Sequence, residues 1–155
     1  MAGRCEFVFR PTYWPAAPSR LSDPEPCPYP SLPGSDLCAF HNPGLVKALC
    51  STPAEVAGIY RETVQSVGVL KLLGCTVLHL DCQRLKGVLD QERPVSIGYS
   101  TFGTPLDFSQ FNFKKTVTIA GCTIPSLSLQ ETSIGGYLNL WDNTVASFNL
   151  RKAEL

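Results

Sequence analysis

Along the second half of the chain an apolar side chain returns at Phe108, Phe113, Ile119, Ile124, Leu129, Ile134, Leu140, Val145, Leu150 and Leu155, in steps of five residues with two steps of six. Val, Ile, Leu and Phe supply 43 of the 155 residues, so ten matches in ten arise by chance about 3 times in a million before allowing for phase and the two longer steps. A period of five suits neither a helix nor a flat strand. It suits a chain that makes a very short strand, turns a corner and repeats. The residue two before each position is often apolar as well (Leu106, Phe111, Val117, Cys122, Leu127, Leu138, Phe148), and the residue between is polar every time, from Asp107 and Asn112 to Asn149 and Glu154. That is the alternation of a strand with one face inward. A weaker version runs through Leu72, Val77, Cys82, Ile97 and Phe102, and Arg84 to Pro94 breaks it, which predicts a bulging loop there.

The stretches Leu-Asp-Phe-Ser-Gln (106–110), Phe-Asn-Phe-Lys-Lys (111–115), Phe-Asn-Leu-Arg-Lys (148–152) and Ala-Glu-Leu (153–155) resemble the pentapeptide-repeat family. The resemblance covers 106–155 well and 70–105 poorly. It implies a mainly β fold, a right-handed parallel β-helix with four repeats per coil. Here the small residue of the family's i−2 position is often Leu or Phe, and two repeats gain a residue; both favour a wider or locally bulged coil. Residues 68–155 would then wind about four coils, since stacked strands lie about 4.8 Å apart. Both ends of such a stack need covering. The last repeats carry neither a capping helix nor a breaker, so a partner molecule or further coils are expected against them.

The first half reads differently. Ten of the thirteen prolines lie in the first 53 residues, and proline neither continues a helix nor enters a central strand. Residues 1–51 are therefore expected to hold little regular structure and to be fixed by something other than an apolar core. Thr52-Pro53-Ala54-Glu55 then starts a helix with a hydroxyl cap, a proline at the first helical position and a carboxylate three residues after the cap. Val56, Ile59, Tyr60, Val64 and Val67 follow at helical spacing, giving one amphipathic helix over 52–67, placed to cap the first coil.

Cys5, Cys27, Cys38 and His41 carry the most chemistry in the head. Cys38-Ala-Phe-His41 spaces two donors by two residues, and Cys5 and Cys27 complete a Cys₃His set for a tetrahedral ion. Thiolates with imidazole favour Zn²⁺. An early Cys-x-Phe with a later Cys-x-x-His is also similar to the short Cys/His module that precedes the repeats in some archaeal pentapeptide-repeat proteins. Cys50 is a reserve ligand. Disulfides are the rival, opposed by the odd count of seven cysteines and by the lack of an apolar leader in Met1 to Arg10; ordinary small buried residues are the third reading. Cys75, Cys122 and Cys82 fall on the inward track and read as core.

Thirteen basic residues balance thirteen acidic ones, so the chain has no field to steer polyanions. No apolar run reaches the roughly 18 residues of a membrane span. A soluble, cytoplasmic protein is expected. His79 next to Asp81 lacks any accompanying nucleophile, Gly34-Ser35-Asp36 lacks the glycine of a nucleophile elbow and reads as a turn before Cys38, and Gly135-Gly136 reads as a corner where positive φ is cheap. We expect no catalysis. The sequence points to a structural or protein-interaction module: a zinc-pinned head whose aromatic residues Phe7, Phe9, Tyr13, Trp14 and Tyr29 pack mainly around the metal, a capping helix, and a solenoid whose end or faces meet a protein partner or a second copy. The alternatives are nucleic-acid binding through Arg4, Arg10, Arg20 and Lys47, which Glu6, Asp23, Glu25 and Asp36 offset, and a DNA-mimicking shield of topoisomerases, which the family resemblance raises and the neutral charge opposes.

Overall fold

The repeat closes on itself as a β-solenoid of about four turns. A computed structural model describes residues 3–10 and 24–155. Counting strands along the chain, β1 (Val8–Phe9) and β2 (Glu25–Pro26) belong to the head, followed by helices α1 (Pro43–Leu49) and α2 (Pro53–Gln65). The solenoid strands are β3 (Lys71–Leu73), β4 (Thr76–Val77), β5 (Val95–Gly98), β6 (Thr101–Phe102), β7 (Leu106–Asp107), β8 (Asn112–Phe113), β9 (Val117–Ala120), β10 (Thr123–Ser128), β11 (Ser133–Ile134), β12 (Leu138–Trp141) and β13 (Thr144–Asn149). All the pairs among them are parallel: one sheet runs β12-β9-β5-β3, a second β13-β10-β6-β4 with β7 also on β10, and a third β11-β8.

Register gives the coil its length. Leu72 faces Ile97, Ile97 faces Ile119 and Ile119 faces Leu140, separations of 25, 22 and 21 residues. The two six-residue steps, Phe113 to Ile119 and Ile134 to Leu140, are thus the same corner met one coil apart, and a 21-residue coil is four repeats plus one corner residue. Gly135 and Gly136 sit at that corner, but neither has positive φ. Close approach is what requires glycine: a Cβ on Gly136 would lie 2.5 Å from the Thr116 nitrogen and one on Gly135 2.9 Å from the Lys114 carbonyl oxygen. Positive φ appears at two other stacked corners, at Gly74, Tyr99, Gly121 and Asp142, and at Gln110, Glu131 and Lys152.

The lining is the periodic track. Ile119, Ile124, Leu129 and Ile134 are buried, as are Phe108, Phe113 and the i−2 residues Leu106, Phe111, Val117, Cys122 and Leu127. The weaker early positions Leu72, Val77, Cys82, Ile97 and Phe102 are buried too. The track opens toward the last described coil: Leu140 and Val145 are half-buried, and Leu150 and Leu155 are 40 % and 63 % exposed.

The irregular loop is more ordered than its sequence suggests. A 3₁₀ turn, Cys82–Leu85, is capped by the Asp81 carboxylate and packs on α2 and β7. Beyond it, Gln91 accepts from the backbone N–H of Lys114 through its own carbonyl and from that of Asn112 through its side chain, so the loop serves in place of a strand beside β8.

Helix α2 forms where expected: the Thr52 hydroxyl accepts from Glu55 N–H, and the Glu55 carboxylate accepts from Ser51 N–H. It ends at Gln65, with Gly68 taking φ +76° just beyond. The head holds more regular structure than its prolines imply. β1 and β2 pair antiparallel, a further bridge joins Arg4 to Pro30, and α1 is a second helix, capped by the Asn42 side chain with proline at its start. The seven residues of α1 have only Val46 fully buried, which leaves no apolar periodicity to read.

Candidate metal centre

Three separate stretches of the head converge on one point. Cys5 lies on the stretch leading into β1, its N–H bonded to the Tyr29 carbonyl, and Cys27 follows β2, its N–H bonded to the Phe7 carbonyl. The antiparallel pairing therefore places both thiols side by side. Cys38 and His41 come from a tight turn in which His41 N–H bonds the Cys38 carbonyl. That turn is braced by the Ser35 hydroxyl, which accepts from Leu37 N–H and from the Asn42 amide; the Gly34-Ser35-Asp36 segment is a turn before Cys38, as expected.

One donor atom from each of Cys5, Cys27, Cys38 and His41 lies within 4.8 Å of the other three. Cys27 Sγ is 3.7 Å from Cys38 Sγ, and His41 Nδ1 is 3.3 Å from Cys38 Sγ and 3.6 Å from Cys5 Sγ. These residues could hold a metal ion. No disulfide joins them. The three cysteines are at most 5 % exposed, and the Cys₃His donor set suits a tetrahedral d¹⁰ cation filled entirely by protein.

The donors behave as one electrostatic unit. Hydrogen bonds from Cys27 and Cys38 hold the Cys5 thiol well below its ordinary range, while the hydrogen bond with Cys27, then that with Cys5, pushes Cys38 well above it. Burial works against charge on His41, but hydrogen bonds to the sulfurs of Cys27, Cys5 and Cys75 outweigh it and raise the imidazole to about 12. Negative charge on sulfur thus already favours a cationic neighbour at this point.

The second nitrogen of His41 is committed to the solenoid. Nε2 lies 2.9 Å from the Leu73 carbonyl oxygen and 3.4 Å from Cys75 Sγ. A carbonyl accepts only, so Nε2 donates to it, which turns Nδ1 toward the sulfurs as the nitrogen that would ligate an ion on losing its proton, the outer-shell arrangement that orients a ligating histidine. Phe7 stacks on the same ring, centroids 3.8 Å apart. Neither Leu73 nor Cys75 carries a ligand-like spacing in the sequence. Their role comes from where the first coil passes the head.

The other cysteines divide. Cys50 ends α1, half-exposed and outside the group of four, so it does not take a ligand's place. Cys82 and Cys122 are buried thiols that burial raises to about 12 and about 11, consistent with packing. Cys75 is buried as the core reading expects, and it also faces His41. Phe9 and Tyr29 are fully buried beside the centre; Tyr13, Trp14, Arg20 and Asp23 lie outside the described residues. His79 is half-buried. No helix among the described residues is long and apolar enough to cross a membrane.

No protein family, curated protein or solved structure matches this chain.

Proposed function

We propose that the chain is a non-catalytic β-solenoid of the pentapeptide-repeat kind, right-handed, whose head is pinned by a structural Zn²⁺ on Cys5, Cys27, Cys38 and His41, and whose solenoid serves as a protein-interaction surface. The observation that supports the metal reading most directly is the convergence of three buried thiols and a half-buried imidazole from stretches far apart in sequence on one point. Four protein donors fill a tetrahedral zinc and leave no position for water or substrate, the arrangement of structural rather than catalytic sites. Ion binding would supply ordering free energy that a proline-rich head gains only in part from apolar burial. Elemental analysis of purified protein tests this: about one zinc per chain is expected, lost in Cys38→Ser. Full-length folded protein without metal would sink it.

The interaction reading rests on the last described coil. Among the described residues, strands β12 and β13 have a paired neighbour on one side only, in β9 and β10. A groove of about 250 Å³ between Leu127, Leu140, Val145 and Phe148 opens beside them, and Tyr137 and Phe148 are 78 % and 46 % exposed. An exposed strand edge with an apolar lining is suited to an extended apolar β-segment of another chain, and a second copy is the partner we commit to. Sedimentation over a concentration series should show reversible association that Phe148→Asp abolishes. A monomer throughout, or association indifferent to Phe148→Asp, rules that surface out.

A further inference from the structure

The metal ligands alternate along the chain with the groups that cover the first edge of the solenoid. In a parallel ladder one residue of a neighbouring strand donates to a carbonyl and accepts from the N–H two residues further on. The Tyr29 hydroxyl does both: it donates to the Val69 carbonyl at 2.7 Å and accepts from Lys71 N–H at 2.9 Å. A single side chain thereby stands in for a strand on the open side of β3. His41 Nε2 covers a carbonyl further along the same edge, that of Leu73. The Tyr60 hydroxyl, on α2, accepts from Leu78 N–H at 3.1 Å.

Each of these covers is tied to a ligand. Tyr29 follows Cys27 by two residues, and His41 is itself a ligand. Phe40, between Cys38 and His41, lies 4.6 Å from Tyr60 and nearly parallel to it, and 5.2 Å from Tyr29, so the ring that positions both hydroxyls is held by the ligand turn. Outside this set the head meets the coils through the shared apolar core and the Phe9–Tyr99 ring stack, centroids 5.5 Å apart, neither of which bonds the edge of β3, and through an ion pair between Glu25 and Lys71, worth little at that exposure.

We propose that the Cys/His centre is a metal-dependent latch on the first edge of the solenoid: the ion holds Tyr29, Phe40 and His41 in register with Val69 to Leu73, and its removal uncovers that edge while leaving the later coils wound. This rests on the metal reading above. The later coils are bonded to one another through their own ladders, and stability in a solenoid is nearly local to neighbouring coils.

Residue-resolved amide hydrogen exchange of the full chain, zinc-loaded and after chelation, tests the latch. On chelation the amides of Lys71 and Leu78 should speed up at least about tenfold, those of Ser96, Tyr99 and Thr123 should change less than about threefold, and added Zn²⁺ should restore the slow rates. In the loaded protein Tyr29→Phe, which removes one oxygen and keeps the ring, should speed Lys71 while sparing Leu78 and zinc content. Unchanged Lys71 and Leu78 on chelation would overturn the latch while leaving a stoichiometric zinc site intact. So would uniform acceleration of every coil, because the ion would then support the whole fold. A slow Lys71 amide in Tyr29→Phe would overturn it as well. Absence of zinc from the untreated protein, read by elemental analysis, defeats the metal reading itself.

Discussion

Single residues in this chain are constrained by contact from the coil above or below as much as by their own backbone. Gly136 shows it: its φ is ordinary, yet the nearest backbone atoms of the preceding coil stand where a Cβ would go. Gly136→Ala is expected to lower stability by about 1–3 kcal/mol, measured by denaturant unfolding. Gly87→Ala, where nothing lies within 4 Å of the new atom, should be close to neutral. The lining gives the opposite test of the same geometry. Ile119 is fully buried and faces Ile97 and Leu140 on either side, so Ile119→Ala should cost about 2–5 kcal/mol. Leu150 occupies the same periodic track but is 40 % exposed, and Leu150→Ala should fall within about 0.5 kcal/mol of wild type. Sequence periodicity assigns Ile119 and Leu150 equal status; the number of coils stacked against each separates them.

At the scale of elements, α2 is legible because its signals are local. Thr52, Pro53 and Glu55 act within one turn, and Thr52→Ala should cost about 1 kcal/mol through the lost bond to Glu55 N–H, with the loss visible as reduced protection in the first turn of α2. A destabilisation below the error of the measurement would show that packing of Tyr60 and Val64 sets the helix start instead. Helix α1 and the antiparallel pairing of β1 with β2 are not legible in the same way. Proline-rich flanks conceal them, and β1 and β2 are two residues each, too short for any alternation to register. The loop from Arg84 to Pro94 is similar: it breaks the period, and only the bonds that the Asn112 and Lys114 N–H groups donate to Gln91 show that it completes a coil.

For the whole molecule, the head and the solenoid form one hydrophobic unit. Tyr29, Phe40 and Val46 of the head share a continuous core with Tyr60 of α2 and Leu72, Val77 and Ile97 of the coils. Removal of the proposed ion should therefore lower the thermal midpoint measurably while the β-solenoid signal in circular dichroism persists, since the ladders of the later coils contain none of the four candidate donors. Complete loss of β signal on chelation would show instead that the coils cannot stand without the head. The neutral balance of charge places any association of the last coil on apolar contact and backbone pairing, so added salt should not dissociate it.

The amino-acid sequence by itself determined the period, the inward track, the helix start and the four candidate ligands, because each of these is written in residues a few positions apart or in residue types with narrow chemistry. What the tertiary structure decided is everything that depends on stacking: that both six-residue steps are one corner, that Gly136 answers a neighbouring backbone, that the track fades at the last coil, and that Leu73 and Cys75 face the far side of His41. The physical reason is distance along the chain. Coils meet at separations of 21 to 25 residues, and no local pattern encodes which atom will lie over which.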